Sequence, residues 1–297
     1  MPAAAPPVEP ALDDDDFAAA PPRRLRWLRK NLTLVLGLLL LLCMLVVALG
    51  APWIATADPL DLDPSARLQP PDAEHYFGTD ALGRDVFSRA VWGSRVSLIV
   101  ALSVAGLATL FGVVIGLVAG FVRWADGIIM RVMDGLMAIP GILLAIALMA
   151  VTRASLSAVI VAITVPEIPR VVRLVRSLAL TLREQLFVEA AHAVGARLPA
   201  ILFGHVLPNI VAPLVVQATF VAASAVLIEA SLSFLGVGVP AETPSWGNMM
   251  AEGRHVVAVG FHIILYPGIL LAATVLAINM VGDGLRDALD PRLARQL

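Results

Sequence analysis

The chain has 297 residues, of which 59% are hydrophobic and 15% charged, whereas soluble domains carry about 45–50% and about 25%. That composition excludes a solvated surface over most of the chain. The 21 basic and 23 acidic residues give a net charge of −2, which excludes the basic field of a nucleic-acid-binding protein. The single cysteine excludes an internal disulfide and a cysteine-ligated metal cluster. We therefore expect a membrane protein.

Residues 1–22 are rich in proline and alanine, include the run Asp13–Asp16 and show no apolar periodicity. They predict a disordered cytoplasmic tail. Residues 23–55 contain an uncharged stretch between Lys30 and Asp58, which is longer than the roughly 20 apolar residues that cross a hydrocarbon core. This stretch predicts a first transmembrane helix.

Five further apolar stretches follow a predicted extramembrane segment, residues 56–93. They lie between Arg95 and Arg123, between Asp134 and Arg153, from Arg153 to about Val175, between Arg197 and Glu229, and between Arg254 and Asp283. The fold class is therefore all-α, a polytopic membrane protein with six transmembrane helices. Residues 94–282 form the predicted core with five of these helices, and residues 283–297 form a second cytoplasmic tail.

The distribution of basic residues predicts the orientation. With the N-terminus in the cytoplasm, fifteen of the 21 basic residues fall on the inner side, as the positive-inside rule requires. Both termini are then cytoplasmic, and residues 56–93 are periplasmic.

Several motifs of enzymes are missing from the sequence. Lys30 is the only lysine and is followed by Asn31, so the chain cannot contain the lysine-bearing phosphate loop of an ATPase. Neither a His-Glu-x-x-His pair nor a Gly-x-Ser-x-Gly turn occurs. We expect no catalytic, cofactor or metal site, and any ATP hydrolysis on a separate subunit.

Residues 182–209, between the fourth and fifth predicted helices, indicate a helix, a turn and a second helix. An amphipathic stripe with helical spacing is formed by Phe187, Ala190, Ala191 and Val194. Gly195 is a typical helix terminator. Pro199 suits the first turn of a short second helix, and Pro208 predicts its end.

This segment resembles the EAA loop of ABC-importer permeases, the coupling helix that docks into the ATPase subunit. The resemblance rests on Glu189-Ala190-Ala191-x-x-x-Gly195 followed by Leu207-Pro208. The broad family has an aliphatic residue where this chain has His205, whereas the peptide-transporting branch commonly has His-x-Leu-Pro-Asn, as here. The resemblance implies that these seven residues couple the chain to an ATPase.

Three other segments resemble the same branch, which imports dipeptides, oligopeptides or nickel. They are Tyr76–Arg89, Leu232–Gly247 and Gly282–Arg292. The resemblance implies a type I ABC-importer permease fold in the bacterial inner membrane. It also implies a second permease subunit in a heterodimer, two ATP-binding subunits, a periplasmic substrate-binding protein, and a peptide or glutathione-like substrate.

Two carboxylates fall inside predicted spans, where ionisable residues are commonly functional. Glu229 either lines the substrate pathway or is a paired or solvated residue near the outer mouth. Glu167 lies between Pro166 and Pro169, which must kink or unwind the helix. Glu167 either lines the pathway or forms a buried pair with Arg170.

For charged residues outside the hydrocarbon core of the membrane, a purely structural role is an alternative to a functional one. Asp80, Arg84 and Asp85 form either an outer gate or binding-protein contact, or a solvated, self-paired loop. Arg131 and Asp134 predict an ion pair on one helix face. A snorkelling basic patch on the inner face is predicted for Arg170, Arg173 and Arg176.

The main alternative function is a secondary transporter or ion channel that uses Glu167 and Glu229 as relays. It predicts inverted repeats, and the two halves of the sequence show no convincing self-similarity. A membrane scaffold or receptor would not need polar groups within the fourth and fifth spans. The secondary transporter or channel also leaves residues 182–209 unexplained.

Overall fold

The computed structural model describes residues 31–289. The predicted tail 1–22, the basic cluster before Asn31 and the last part of the predicted tail 283–297 lie outside the described residues. In the described part, the last helix continues past Asp283 to Leu289.

The described residues form helices joined by loops, with one isolated antiparallel bridge between Thr79 and Asp85. A 3₁₀ turn covers Pro64–Ala66 and a π-helical turn covers Leu202–Val206. The α-helices are α1 (Leu32–Leu49), α2 (Ala51–Ile54), α3 (Val86–Phe121), α4 (Arg123–Met137), α5 (Gly141–Val151), α6 (Leu156–Arg183), α7 (Leu186–Ala193), α8 (Leu198–Ile201), α9 (Leu207–Phe234), α10 (Trp246–Gly253) and α11 (His262–Leu289).

Four helices between residues 31 and 289 are long and apolar enough to cross a membrane: α1, α3, the continuous run Leu198–Phe234 and α11. Helices α4 and α5 meet this criterion only together, with a bend of 88° between them. The predicted span between Asp134 and Arg153 is therefore not one straight helix. The reason is Pro140, which lacks an N–H group and disfavours the helical conformation at Ile139.

Helices α3 and α6 pack closely because glycines of α3 face β-branched or small residues of α6. A Cβ atom on Gly116 would lie 2.7 Å from Cβ of Val175, and one on Gly120 would lie 2.6 Å from Cβ of Ala179. Gly112, one turn before Gly116, faces Val171 in the same way. The facing residues rise in the same order along both helices, so α3 and α6 run parallel. Such small residues allow helix backbones to approach closely within a membrane.

Helix α11 holds α1 and α9 through similar close contacts. A Cβ on Gly37 of α1 would lie 2.7 Å from Cβ of Met280, and one on Gly284 would lie 2.5 Å from Cβ of Leu34. These contacts make α1 and α11 antiparallel. Gly282 of α11 faces Thr219 of α9, so all three helices meet at this level.

The loops gather at two opposite ends of the bundle. Residues 55–94 and 236–262 form one end, which we call the clasp end, where Trp246 donates from Nε1 to the carbonyl of Ala90 at 2.9 Å. Residues 183–207 form the other, which we call the loop end. There Arg183 donates to the carbonyl of Gly120, the end of α3, at 3.4 Å.

The two prolines of α6 do not unwind it, so the unwinding alternative predicted around Glu167 is wrong, and the kink stays a prediction. The helix is continuous from Leu156 to Arg183 with Pro166 and Pro169 inside it. Each proline removes one backbone donor. The neighbouring turns stay helical because Ile163 and Val171, on either side of the prolines, belong to the buried core.

We expect Gly116→Leu to destabilise the bundle by about 1–3 kcal/mol, because the added side chain overlaps Val175 and forces α3 from α6. The matched control is Gly106→Leu on the same helix, where a Cβ meets no atom within 4 Å. Thermal unfolding of the two variants in detergent measures the difference. Equal stability of the two variants would contradict the close packing.

Candidate functional site

The predicted helix–turn–helix of residues 182–209 is present, and its first helix is α7, with eight residues. Gly195 ends it with a φ of +80°, the left-handed conformation that glycine adopts without steric cost. Its N–H donates to the carbonyl of His192, and that of Ala196 donates to the carbonyl of Ala191, both at 3.0 Å. This is a Schellman motif. The predicted terminator role of Gly195 is confirmed.

The second half of the segment differs from the prediction, because Pro208 does not end a helix. α8, the π-helical turn and α9 follow one another without a loop. Pro208 lies in the first turn of α9, where a missing N–H is tolerated. The N–H of Leu207 donates to the carbonyl of Leu202 across the π-turn. The segment after Gly195 is therefore rigidly continuous with a membrane helix.

Of the four residues of the predicted stripe, only Ala191 contacts the bundle. Val188 and Ala191 are buried, whereas Phe187, Ala190 and Val194 are exposed. The loop end as a result carries large uncovered apolar side chains: Leu186 is 82%, Val194 84% and Phe203 72% exposed.

The predicted coupling residues lie around these apolar side chains. Glu189, Ala190, Gly195, His205 and Pro208 are exposed. Of the other two residues, Leu207 is half-buried and Ala191 is buried. The rings of Phe187 and His205 lie 6.3 Å apart, centroid to centroid, so α7 and the π-turn form one surface. An exposed apolar helix with a charge beside it fits a groove in a partner.

Glu167 lies inside the bundle and is paired, as one of its two sequence predictions states. Its side chain is 3% exposed. Oε1 accepts from Oγ of Ser224 on α9 at 3.0 Å, and both carboxylate oxygens lie 3.2 Å from Nη1 of Arg170. The Arg170 side chain is itself 56% exposed. The pathway role of Glu167 stays a prediction.

Glu229 is completely buried near the clasp end of α9. Its Oε1 accepts from Oγ of Ser233 at 2.8 Å, and Oε2 has no partner among residues 31–289. At the next residue, Gly247 of α10 approaches the backbone of Ala230 so closely that no Cβ would fit. Glu229 therefore touches no space open to solvent in this conformation, and its pathway role also stays a prediction.

Asp80 and Arg84 belong to an ionic cluster, which we call the clasp: the buried residues Asp80, Arg84 and Arg89, and the half-buried Glu252. Arg84 donates from Nε to Asp80 at 2.6 Å and from Nη2 to Glu252 at 2.5 Å. Arg89 donates to the same two carboxylates. The clasp thereby joins the segment before α3 to α10. Sequence reasoning missed Glu252, because nothing in its spacing from Asp80 indicates a contact.

Asp85 has a separate structural role. Its Oδ2 accepts the N–H of Ser88 at 2.7 Å and so caps the N-terminus of α3. His75 lies 3.1 Å from Oδ1. Since Asp80, Arg84 and Asp85 are all buried, the loop is not solvated, but Asp80 and Arg84 do pair with each other, as that alternative states. The gate or binding-protein contact stays a prediction.

The basic residues of α6 are paired, which corrects two sequence predictions. Asp134 accepts from Arg173 at 2.7 Å, not from Arg131. Asp126 accepts from Nε and Nη2 of Arg176 at 2.5 and 2.7 Å. Two residues of the predicted snorkelling patch, Arg173 and Arg176, therefore hold α4 against α6, whereas Arg170 pairs with Glu167 of its own helix.

No group of three or more histidine, cysteine, aspartate or glutamate side chains suited to a metal ion occurs within the described part of the chain.

Comparison with protein families gives two matches. Residues 112–295 match the model of the binding-protein-dependent transport system inner membrane component. Residues 23–71 match the N-terminal transmembrane domain of oligopeptide transport permease C. The first match covers more than half of the chain.

Curated relatives cover most of the chain. It is 53% identical to the "Probable peptide ABC transporter permease protein" of Sinorhizobium fredii, over 84% of this chain and 86% of that protein. It is 42% identical to the dipeptide transport system permease protein of Alkalihalophilus pseudofirmus, over 94% of this chain and 93% of that protein. It is 40% identical to the glutathione transport system permease protein of Pectobacterium atrosepticum, over 90% of this chain and 89% of that protein.

The fold is similar to a chain of the MetNI methionine ABC transporter, with a TM-score of 0.55 and 22% identity, over 69% of this chain and 97% of that one. Together with the apolar helices, the family match makes this a multi-pass protein of the bacterial inner membrane. These matches favour the transporter permease over the secondary transporter, channel and scaffold alternatives. The chain belongs to the inner membrane components of binding-protein-dependent transport systems, the permease family of ABC importers.

Proposed function

We propose that this chain forms one half of a translocation pathway for peptides, of the dipeptide, oligopeptide or glutathione-like kind, and couples that pathway to a separate ATPase. The observation that carries the proposal is the exposed apolar α7 surface, which connects through Gly195 to the unbroken run α8–α9. The names of the peptide and glutathione relatives support the substrate class.

The packing supports six membrane crossings, with the broken pair α4–α5 as one of them. α3 and α6 are parallel, so the chain must return from the end of α3 at the loop end before α6 begins. The pair α4–α5 runs antiparallel to α6, since Asp126 pairs with Arg176, Asp134 pairs with Arg173, and Gly141 lies against Pro166. The other crossings are α1, α3, α6, α9 and α11.

With six crossings, both ends of the described chain lie at the loop end, since Leu34 of α1 contacts Gly284 of α11. The positive-inside rule then puts the loop end in the cytoplasm and the clasp end in the periplasm.

The partners follow from this arrangement. Two ATP-binding subunits meet the α7 surface on the cytoplasmic side, and the periplasmic binding protein meets the clasp end. A second permease, in a heterodimer, completes the pathway. ATP and the loaded binding protein both shift the assembly toward the outward-open state. Membrane lipid covers the remaining apolar surface.

Orientation is tested by cysteine labelling in a Cys43→Ser background. We expect a membrane-impermeant maleimide to label Glu74→Cys in intact spheroplasts and to label Ala200→Cys only after lysis, because these exposed positions lie at opposite ends of the bundle. Labelling of Ala200→Cys from outside would refute the orientation.

Coupling is tested at two positions. We expect Glu189→Lys to reduce both peptide uptake and binding-protein-stimulated ATP hydrolysis by about tenfold or more, since a desolvated charge contact at an interface is worth about 1.5–3 kcal/mol. The control is Glu184→Lys, an equally exposed glutamate between α6 and α7.

At Gly195, valine should uncouple transport because a β-branched residue is strained at a φ of +80°. Asparagine, which tolerates this conformation, should retain activity. Full uptake with Glu189→Lys and with Gly195→Val would count against the coupling role of α7.

The purified chain alone should hydrolyse no ATP, because its only lysine is not part of a phosphate loop. Phosphate release is measured against a no-protein control and against the complex assembled with its ATP-binding subunits. ATP hydrolysis by the isolated chain above the no-protein control would contradict the proposal that a separate subunit hydrolyses ATP.

A further inference from the structure

Arg170 occupies an unusual position for a charged side chain. It lies near the middle of α6, about 20 Å from each end at a rise of 1.5 Å per residue. Its side chain is 56% exposed. In the proposed arrangement of six crossings, a guanidinium group directed at lipid near the middle of α6 is disfavoured. Arg170 must therefore face a water-filled space or a polar partner.

The contacts of Arg170 hold it in place and leave donors free. Only Nη1 donates, to the two oxygens of Glu167 at 3.2 Å. Glu167 is fixed from behind by Ser224 of α9. The other guanidinium nitrogens, Nε and Nη2, make no hydrogen bond within residues 31–289. They can donate together to one carboxylate.

A groove begins one helical turn from this pair. Its volume is about 530 Å³, and it runs between α6, α9 and α11 toward the loop end. Leu174, four residues after Arg170, and Phe220, four residues before Ser224, lie in its wall. Gln217 and Arg286 supply its polar groups, and none of its lining residues is acidic. The groove thus has a cation near one end and another in its wall.

We propose that Arg170 lines the translocation pathway and binds the C-terminal carboxylate of the peptide as it passes toward the groove. Glu167 is then a positioning residue that holds the guanidinium and has no contact with the ligand. This inference rests on the proposed function, since it names the chemistry that the pathway recognises. The competing occupant is a carboxylate of the second permease subunit, which would make Arg170 an interface residue.

The first experiment compares two ligands in proteoliposomes that contain the complete transporter. Tri-alanine has a free carboxylate and tri-alanine amide does not, and each uptake rate is taken relative to wild type so that the preference of the binding protein cancels. We expect Arg170→Gln to slow tri-alanine uptake about tenfold, the loss of one charge-assisted contact, and amide uptake less than about twofold. Arg170→Lys, which keeps the charge, should be intermediate.

The matched control is Arg173→Gln, since Arg173 is also exposed on α6 but is paired with Asp134. It should affect the two ligands equally. An equal loss of both ligands in Arg170→Gln, or no loss, overturns the carboxylate contact. If the second permease co-purifies poorly with the Arg170→Gln variant, Arg170 belongs to the subunit interface and the proposal is overturned.

The second experiment does not depend on the ligand. In a Cys43→Ser background, Arg170→Cys in the assembled complex should react with a water-soluble methanethiosulfonate faster than Leu102→Cys, an exposed residue of α3. Equal, slow reaction overturns the pathway position. A wild-type complex that imports neither peptide refutes the proposed function, whereas the thiol reaction still decides where Arg170 lies.

Discussion

The structure depends on the close approach of α3 and α6. Gly112, Gly116 and Gly120 let the two backbones come together over two turns, with valine and alanine side chains filling the space. Parallel helices that pack this way fix the positions of everything attached to α6, including Glu167, Arg170 and the arginines that hold α4. In a membrane, where lipid tails compete for apolar surface, such tight packing is the main source of helix association.

Several charged residues of the described chain pair across segments or helices and thereby fix their positions. The clasp joins two segments more than 160 residues apart through two arginines and two carboxylates. Arg173 and Arg176 hold a broken helix pair against α6. Buried pairs such as Arg89–Asp80 of the clasp contribute to a specific arrangement more than to net stability. Against that background, the exposed and only partly paired Arg170 is an exception, and exceptions of this kind are common at functional sites.

The sequence predicts the helical class, most helix positions and the terminator role of Gly195, because apolar periodicity and a left-handed glycine are local properties. It does not predict which face of α7 meets the bundle. Periodicity places Phe187, Ala190, Ala191 and Val194 on one stripe, yet only Ala191 of these is buried, together with Val188, because contacts with the neighbouring helices determine the buried face. Local spacing likewise favours Arg131 as the partner of Asp134, whereas the 88° bend presents Arg173 instead.

The absence of a loop between α8 and α9 has a mechanical consequence. Leu198–Phe234 is 37 residues of continuous helix, roughly 55 Å long. Rotating a helix of that length by about 10° around one of its ends displaces the other end by roughly 10 Å. A small displacement of the helix at Phe203 is thus transmitted to Glu229 by the helix itself, without rearrangement of intermediate side chains.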